Sequence, residues 1–183
     1  AAANGFGRVI VGQDGILSTP AASHLIRKRE AYGGLILSAS HNPGGPDGDF
    51  GIKYNGNNGG PAQEALTEKI FARSRELERY FIEDEVVPTI TDKGEFSYAG
   101  MIVEVVDPVA DYADLMEEFF DFAAIKALFT GGFGFCFDAM HAVTGPYARE
   151  IFVSRLGAPS DSIINAVPSE TFGGGHPDPN PVH

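Results

Sequence analysis

The stretch Ser38-Ala39-Ser40-His41-Asn42-Pro43-Gly44-Gly45-Pro46-Asp47-Gly48-Asp49-Phe50-Gly51-Ile52-Lys53-Tyr54-Asn55 concentrates the side chains of this chain that could do chemistry. Ser40 sets a hydroxyl beside the imidazole of His41. On an extended chain, adjacent side chains point to opposite sides, and the Gly-x-Ser-x-Gly elbow of a serine hydrolase is missing. Both points argue against His41 as the base of a hydrolytic triad. Phosphoryl transfer fits the residues better, because a serine hydroxyl can carry a phosphate and neighbouring glycines expose backbone N–H groups to its oxygens. From residue types alone Ser40 is a nucleophile, a phosphate carrier or part of a plain turn, and Asn42-Pro43-Gly44-Gly45 is turn chemistry in each case. Lys53 is a flexible point charge able to hold a phosphate, although an ordinary exposed strand lysine looks the same. Asp47-Gly48-Asp49 offers fewer oxygens than a hard cation takes and reads as a solvated turn.

The other reactive side chains are weaker candidates. His141 and His176 fall in loops at strand ends, read as structural or surface histidines, and no histidine pair has zinc-site spacing. Cys136, the one cysteine, lies inside Phe133-Gly134-Phe135-Cys136-Phe137 and reads as a buried, inert thiol. A lone cysteine forms no internal disulfide, which points to a reducing, cytoplasmic setting. With 13 Lys and Arg against 25 Asp and Glu, the formal net charge is -12. That balance speaks against nucleic acid or an anionic membrane surface as partner. No apolar stretch is long enough to span a bilayer. A content of 43% hydrophobic and 21% charged residues is that of an ordinary globular protein. Without an initiator Met, and ending on Asp178-Pro179-Asn180-Pro181-Val182-His183, the chain reads as part of a longer protein.

Alternating strands and helices must position these groups, predicting an α/β fold of mixed, largely parallel sheets flanked by helices. Arg8 to Val11 is a first strand. Thr19 is expected to cap a helix with Pro20 at its first position and with Leu25 and Ile26 on its apolar face. Leu35-Ile36-Leu37 has the bulk of a strand buried on both faces, joined to the first strand by a right-handed parallel crossover. Phe50 to Asn55 alternates, which predicts Phe50, Ile52 and Tyr54 in the core and Lys53 and Asn55 on the opposite face. A helix is expected from Pro61, with Leu66, Ile70, Leu77 and Phe81 on one side. Glu83 to Glu85 and Thr91 to Glu95 read as surface connections. Met101 to Val106 is a strand, Asp107-Pro108 opens a helix through Tyr112, Leu115, Met116, Phe119 and Phe120, and a domain boundary is placed there. Phe133 to Phe137, a helix from Pro146 to Leu156 stopped by Gly157, and a strand at Ile163-Ile164 and Ala166-Val167 repeat the pattern. Helix-starting proline follows the last apolar strand residue by nine positions both at Val11 to Pro20 and at Phe137 to Pro146, a weak sign of duplication.

The Ser38 to Pro46 and Asp49 to Asn55 elements resemble the active-site loop of the phosphoglucomutases in the α-D-phosphohexomutase superfamily. The likeness extends to Gly15 to Ala21, Asn58 to Ala62, Asp138 to His141, Gly145 to Tyr147 and Gly174 to Asn180, in order along nearly the whole chain, and favours the glucose-specific branch. It implies most of domain I at residues 1–110, with its first segment missing, and part of domain II at 111–183. The implied enzyme is an isomerase that interconverts glucose 1-phosphate and glucose 6-phosphate, a hexose phosphate substrate, through a phosphoserine and glucose 1,6-bisphosphate. On that likeness Ser40 carries the phosphoryl group, His41 positions the sugar and assists proton transfer, Asn42 contacts substrate and Lys53 holds charge. Mg2+ meets a phosphoserine oxygen of Ser40, while the family's Asp-Gly-Asp-Gly-Asp-Arg metal loop falls after His183 and further domains are missing. The resemblance therefore implies an inactive piece of an active mutase. It also admits a parafusin-like regulatory or scaffolding phosphoprotein and, third, a phosphomannomutase-type enzyme. Ser38 departs from the family's more frequent threonine and keeps the hydroxyl.

Overall fold

The computed structural model describes residues 1–42 and 47–177; all but Asn42 of the turn expected at Asn42-Pro43-Gly44-Gly45, and the Asp178-Pro179-Asn180 stretch, lie outside the described residues. The β-branched runs Arg8–Gly12 (β1) and Met101–Val106 (β5) pair in parallel, from Arg8↔Ile102 to Gly12↔Val106. Val103, Val105 and Val106 of β5 are buried. Gly94–Tyr98 (β4) pairs antiparallel on the other side of β5, across a turn in which Ala99 and Gly100 both take positive φ, 48° and 78°. Two such residues suit the primed two-residue hairpin. The expected surface connection through Glu95 is thus partly a strand, hidden in the sequence by the polar Glu95 and Ser97 on its exposed face.

Thr19–Lys28 (α1) buries Ala21, Ala22, Leu25 and Ile26. Its cap is Ser18, whose hydroxyl accepts the Ala21 N–H at 3.3 Å, and not Thr19, which is already helical. Two hydroxyl residues in a row leave the sequence unable to choose between them, and the extended backbone at Ser18 decides. After α1, Gly33–Leu37 (β2) does not pair with β1. It forms a separate antiparallel ribbon with Ile52–Gly56 (β3), from Gly33↔Gly56 to Leu37↔Ile52.

Only one face of that ribbon is covered. Ile26 of α1 lies so close over Gly34 that a Cβ there would collide with it, and Ile36 and Asn55 on the same side are buried. Leu35, Leu37 and Ile52 on the other face are 70%, 66% and 64% exposed, and Phe50 is 76% exposed. This reverses the expected burial of the Phe50-Ile52 face and the double burial of β2. Asn55, expected opposite the core, is instead covered because its Nδ2 bonds to Ser23 Oγ at 3.2 Å and the Gly59 carbonyl at 2.9 Å. Period-two alternation names two faces without saying which one meets a helix.

Pro61 bridges to Asn55 rather than opening a helix. Glu64–Ser74 (α2) begins three positions later and buries no residue. Leu77 and Phe81 lie beyond its end, and the whole Leu66, Ile70, Leu77, Phe81 set remains exposed. Ala110–Phe119 (α3) starts as expected under Asp107, whose Oδ1 accepts the Val109 and Ala110 N–H groups at 2.9 and 3.0 Å. It stops at Phe120, where Asp121 caps a second helix, Phe122–Thr130 (α4), by accepting the Ala124 N–H at 2.9 Å.

Phe137–Asp138 (β6) and Ile163–Ile164 (β7) pair in parallel across Thr144–Ala148 (α5), which runs on as a π-helical turn, Arg149–Arg155. The strand is far shorter than the apolar run Phe133 to Phe137. Phe135 and Phe137 pack their rings 5.1 and 5.6 Å from that of Phe152, against the core of Ala148, Ile163 and Ala166. Cys136 between them is exposed, contrary to the expected buried thiol. Tyr147 of α5 joins the two parts of the chain. It packs with Ala21 and Val109, donates its hydroxyl to the Pro108 carbonyl at 2.6 Å and accepts the Ser18 N–H at 3.0 Å. Burial first, despite the Ser18 donors, pushes the Tyr147 phenol up.

Candidate functional site

The β2–β3 ladder continues one step past Leu37↔Ile52, with the Ser38 N–H donating to the Gly51 carbonyl at 2.9 Å. A side chain at Gly51 would overlap the Ser38 carbonyl oxygen, so this close approach requires glycine. The next tie across the ribbon is Asn42 Nδ2 donating to Asp49 Oδ2 at 2.8 Å. Between the two ties, Ala39, Ser40 and His41 face Phe50 alone. The ladder has ended by this point, and Ser40 and His41 occupy a turn between the last backbone tie and a side-chain tie, off the regular alternation of the strands.

Ser40 is the residue thrust out. It is exposed, with a left-handed φ of 63°, which costs a non-glycine residue on the order of 1–3 kcal/mol unless the surroundings hold it. Ser38 Oγ supplies part of that hold by accepting the Ser40 N–H at 3.0 Å, and the Asn42 N–H closes a turn on the Ala39 carbonyl at 3.3 Å. The extended geometry expected here is therefore absent, and the side chains it would have sent apart meet: Ser40 Oγ is 3.4 Å from His41 Nδ1. That is long for an O–H···N bond. Nucleophile and base contacts are often loose without substrate.

Lys53 stands exposed on β3, on the Asn55 side of the ribbon, and pairs ionically with no described residue. Ser40 and His41 are thus brought together, Asn42 is beside them but engaged by Asp49, and Lys53 is one strand over. Ser38, Asp49 and Gly51 were missed as contributors. The sequence signal for Asp49 was only a carboxylate seven positions from an amide. For Gly51 it was a glycine in an otherwise regular strand.

A second strand-end cluster gathers at β6 and β7, where Asp138, Met140, His141, Asn165, Phe172 and His176 line a cavity of about 240 Å³. Crevices beyond the carboxyl ends of parallel strands are where α/β proteins bind ligands. Here the polar groups are engaged internally. Asp138 Oδ1 accepts the Met140 N–H at 2.8 Å and Asn165 Nδ2 at 2.9 Å, and those bonds hold its carboxyl below the usual range. His141 Nδ1–H donates to the Val167 carbonyl at 3.0 Å. His141 is the structural histidine that its loop position implied. Among the described residues, no group of three or more His, Cys, Asp or Glu could hold a metal ion, and no helix is long and apolar enough to cross a membrane.

Residues 1–81 match the family described as phosphoglucomutase/phosphomannomutase, alpha/beta/alpha domain I. The chain is 60% identical to a phosphoglucomutase of Rhizobium radiobacter over 183 residues, covering 100% of this chain and 34% of that protein. It is 52% identical to human phosphoglucomutase-1, covering 98% of this chain and 34% of the relative. Its fold superposes with a TM-score of 0.89 on the exocytosis-sensitive phosphoprotein pp63/parafusin, a phosphoglucomutase from Paramecium, at 44% identity, over 95% of this chain and 34% of that one. The chain spans about a third of the length of these relatives. Over residues 1–81 this chain is similar to domain I of the phosphoglucomutase/phosphomannomutase family, and along its whole length it is similar to phosphoglucomutases.

Proposed function

We propose that this chain is the phosphoserine-bearing part of a phosphoglucomutase that interconverts glucose 1-phosphate and glucose 6-phosphate. The observation that carries the proposal is the exposed Ser40, thrust out of the ladder at φ 63° with His41 Nδ1 3.4 Å from its hydroxyl. A phosphoryl group on Ser40 Oγ passes to the free hydroxyl of the sugar phosphate. The Oγ–P bond breaks, a new sugar O–P bond forms, and glucose 1,6-bisphosphate results. The proton leaving the attacking hydroxyl goes to the His41 imidazole, which passes it to the departing Ser40 Oγ and takes it back when Ser40 is phosphorylated again. The bisphosphate turns over and gives its other phosphoryl group back to Ser40. Lys53 offsets charge on the transferring group, and Asn42 offers its Oδ1 to the sugar while Asp49 holds its Nδ2.

Mg2+ supplies charge neutralisation in phosphoryl transfer. Among the described residues no group of His, Cys, Asp or Glu forms a cation site; on this reading a Ser40 phosphate oxygen is the contribution made here, and the protein ligands come from elsewhere in the longer enzyme. Residues 1–110 then form part of domain I and 111–183 part of domain II of a longer, cytoplasmic enzyme. The likeness to pp63/parafusin supports a second reading, in which phosphorylation of Ser40 regulates a scaffolding protein.

Steady-state assay of the full-length protein on glucose 1-phosphate, primed with glucose 1,6-bisphosphate, separates the two. Glucose 6-phosphate is expected from the full-length protein, not from the purified 183-residue chain, and Ser40→Ala is expected to abolish it. Full activity in Ser40→Ala would sink the mutase reading.

A further inference from the structure

We infer that Asp49 is a positioning residue for Ser40, acting through Asn42; this rests on the mutase reading above. Asp49 lies in Asp47-Gly48-Asp49, which in sequence is only a solvated turn, and it touches neither Ser40 nor His41. Its role follows from register. The backbone tie from Ser38 to Gly51 fixes one end of the turn that carries Ser40. The only other tie across the ribbon among the described residues, beyond the regular ladder, is the 2.8 Å bond from Asn42 Nδ2 to Asp49 Oδ2. With both in place, Ala39, Ser40 and His41 must span the gap facing Phe50 alone, which keeps Ser40 out of the ladder at φ 63°.

Without the second tie, the strand can slip toward regular pairing, in which residue 40 would sit across from residue 49 and its side chain would turn back into the ribbon's alternation. Phe50, the one residue between the two ties on the other side, is 76% exposed. The Asp49 carboxylate therefore acts on geometry, and its charge matters less than its capacity to accept one N–H.

The test compares Asp49→Ala, Asp49→Asn, Asn42→Ala and the Asn42→Ala/Asp49→Ala double variant in the full-length protein. A displaced reacting group costs about 10²-fold. Asp49→Ala is expected to lower kcat by about that factor, with KM and Tm little changed. Asp49→Asn, which keeps an acceptor oxygen, is expected to retain most of the activity, and the double variant to be no worse than Asn42→Ala alone. The NMR resonances of the Asn42 side-chain amide and the Ser40 backbone amide are expected to shift in Asp49→Ala and stay near their native positions in Asp49→Asn. Unchanged kcat and unchanged Ser40 and Asn42 resonances in Asp49→Ala would overturn the inference. Loss of kcat in Asp49→Asn as deep as in Asp49→Ala would overturn it too, by making the charge the active property. Full activity in Ser40→Ala removes the mutase reading instead, and the resonances then decide the positioning role by themselves.

Discussion

The loop after β2 and the loop after β6 are built alike and used differently. Each leaves the carboxyl end of a strand and places non-glycine residues in the left-handed region, Ser40 in the first, Met140 and His141 in the second. Each has a glycine pressed against a carbonyl, Gly51 under Ser38 and Gly145 under Ala166. What differs is where the polar side chains go. Asp138 and His141 bond to backbone and to Asn165 within their own cluster, so the second loop consumes its chemistry in holding its shape. The first loop is held by Ser38, Asn42, Asp49 and Gly51, which leaves Ser40 and Lys53 exposed to act on something else. Strain marks both loops; the outward-facing groups mark one.

The two histidines give the largest expected contrast. In the full-length protein His41→Ala is expected to lower kcat by about 10²- to 10⁴-fold, the usual span for a lost proton-transfer group, with Tm unchanged. His141→Ala removes a bond to the Val167 carbonyl and is expected to cost about 1 kcal/mol, or roughly 2–4 °C in Tm for a domain of this size, with kcat unchanged. Steady-state kinetics and thermal melts on the same preparations check both. The contrast between the loops collapses if His141→Ala depresses kcat at native stability.

Glycine substitutions sharpen the same contrast at the next scale. Gly51→Ala pushes a Cβ into the Ser38 carbonyl oxygen, displacing the start of the Ser40 turn, and is expected to cost about 10²-fold in activity. Gly145→Ala meets the Ala166 carbonyl beside a buried core. It is expected to destabilise the fold by about 1–3 kcal/mol as an overpacked site does, with the folded fraction retaining its kcat. Equal kinetic losses in the two variants, measured per folded molecule, would show that both loops serve the reaction.

Residue types carried the nature of the first loop further than they carried its geometry. The strands of Arg8 to Val11 and Met101 to Val106, the helix at Leu25 and Ile26 and the Asp107 cap were legible because each rests on local pattern or local hydrogen bonding. The neighbours of β2 were not: a strand's burial depends on what lies above and below it, and Leu35 and Leu37 look the same in sequence with one covered face as with two. The break between α3 and α4 was hidden because Asp121, an N-cap, interrupts a run of aromatic residues that continues the helical spacing. At the site, Ser40, His41 and Asn42 lie next to one another, whereas the assumption of an extended chain sent the Ser40 and His41 side chains apart. The Ser40 turn depends on ties between two segments, and Asp49 acquires meaning only when Asn42 is found bonded to it.

The smallest expected effect concerns acid. The Asp138 carboxyl is held below its ordinary pKa of 3.8, first by the Met140 N–H, then by Asn165, against an opposing effect of burial and with a lesser contribution from the nearby His141. A carboxyl whose folded pKa is depressed stabilises the fold above its unfolded value and loses that contribution as pH falls through the folded one. The β6 loop should therefore hold at pH 5 and loosen below about pH 4, near the ordinary carboxylate value. Asp138→Asn keeps an oxygen to accept the Met140 N–H and cannot be protonated in that range, so its loop should be less acid-sensitive than the native one. Amide hydrogen exchange at Met140 and His141 between pH 5 and pH 3, corrected for the intrinsic rate and compared with Ser40, follows this. The expected result is a loss of protection at Met140 that is native-specific and absent in Asp138→Asn. Identical acid profiles in the two proteins would mean that the backbone of the β6 loop keeps its left-handed turn without the carboxylate, and that its side chains are as uncommitted as those around Ser40.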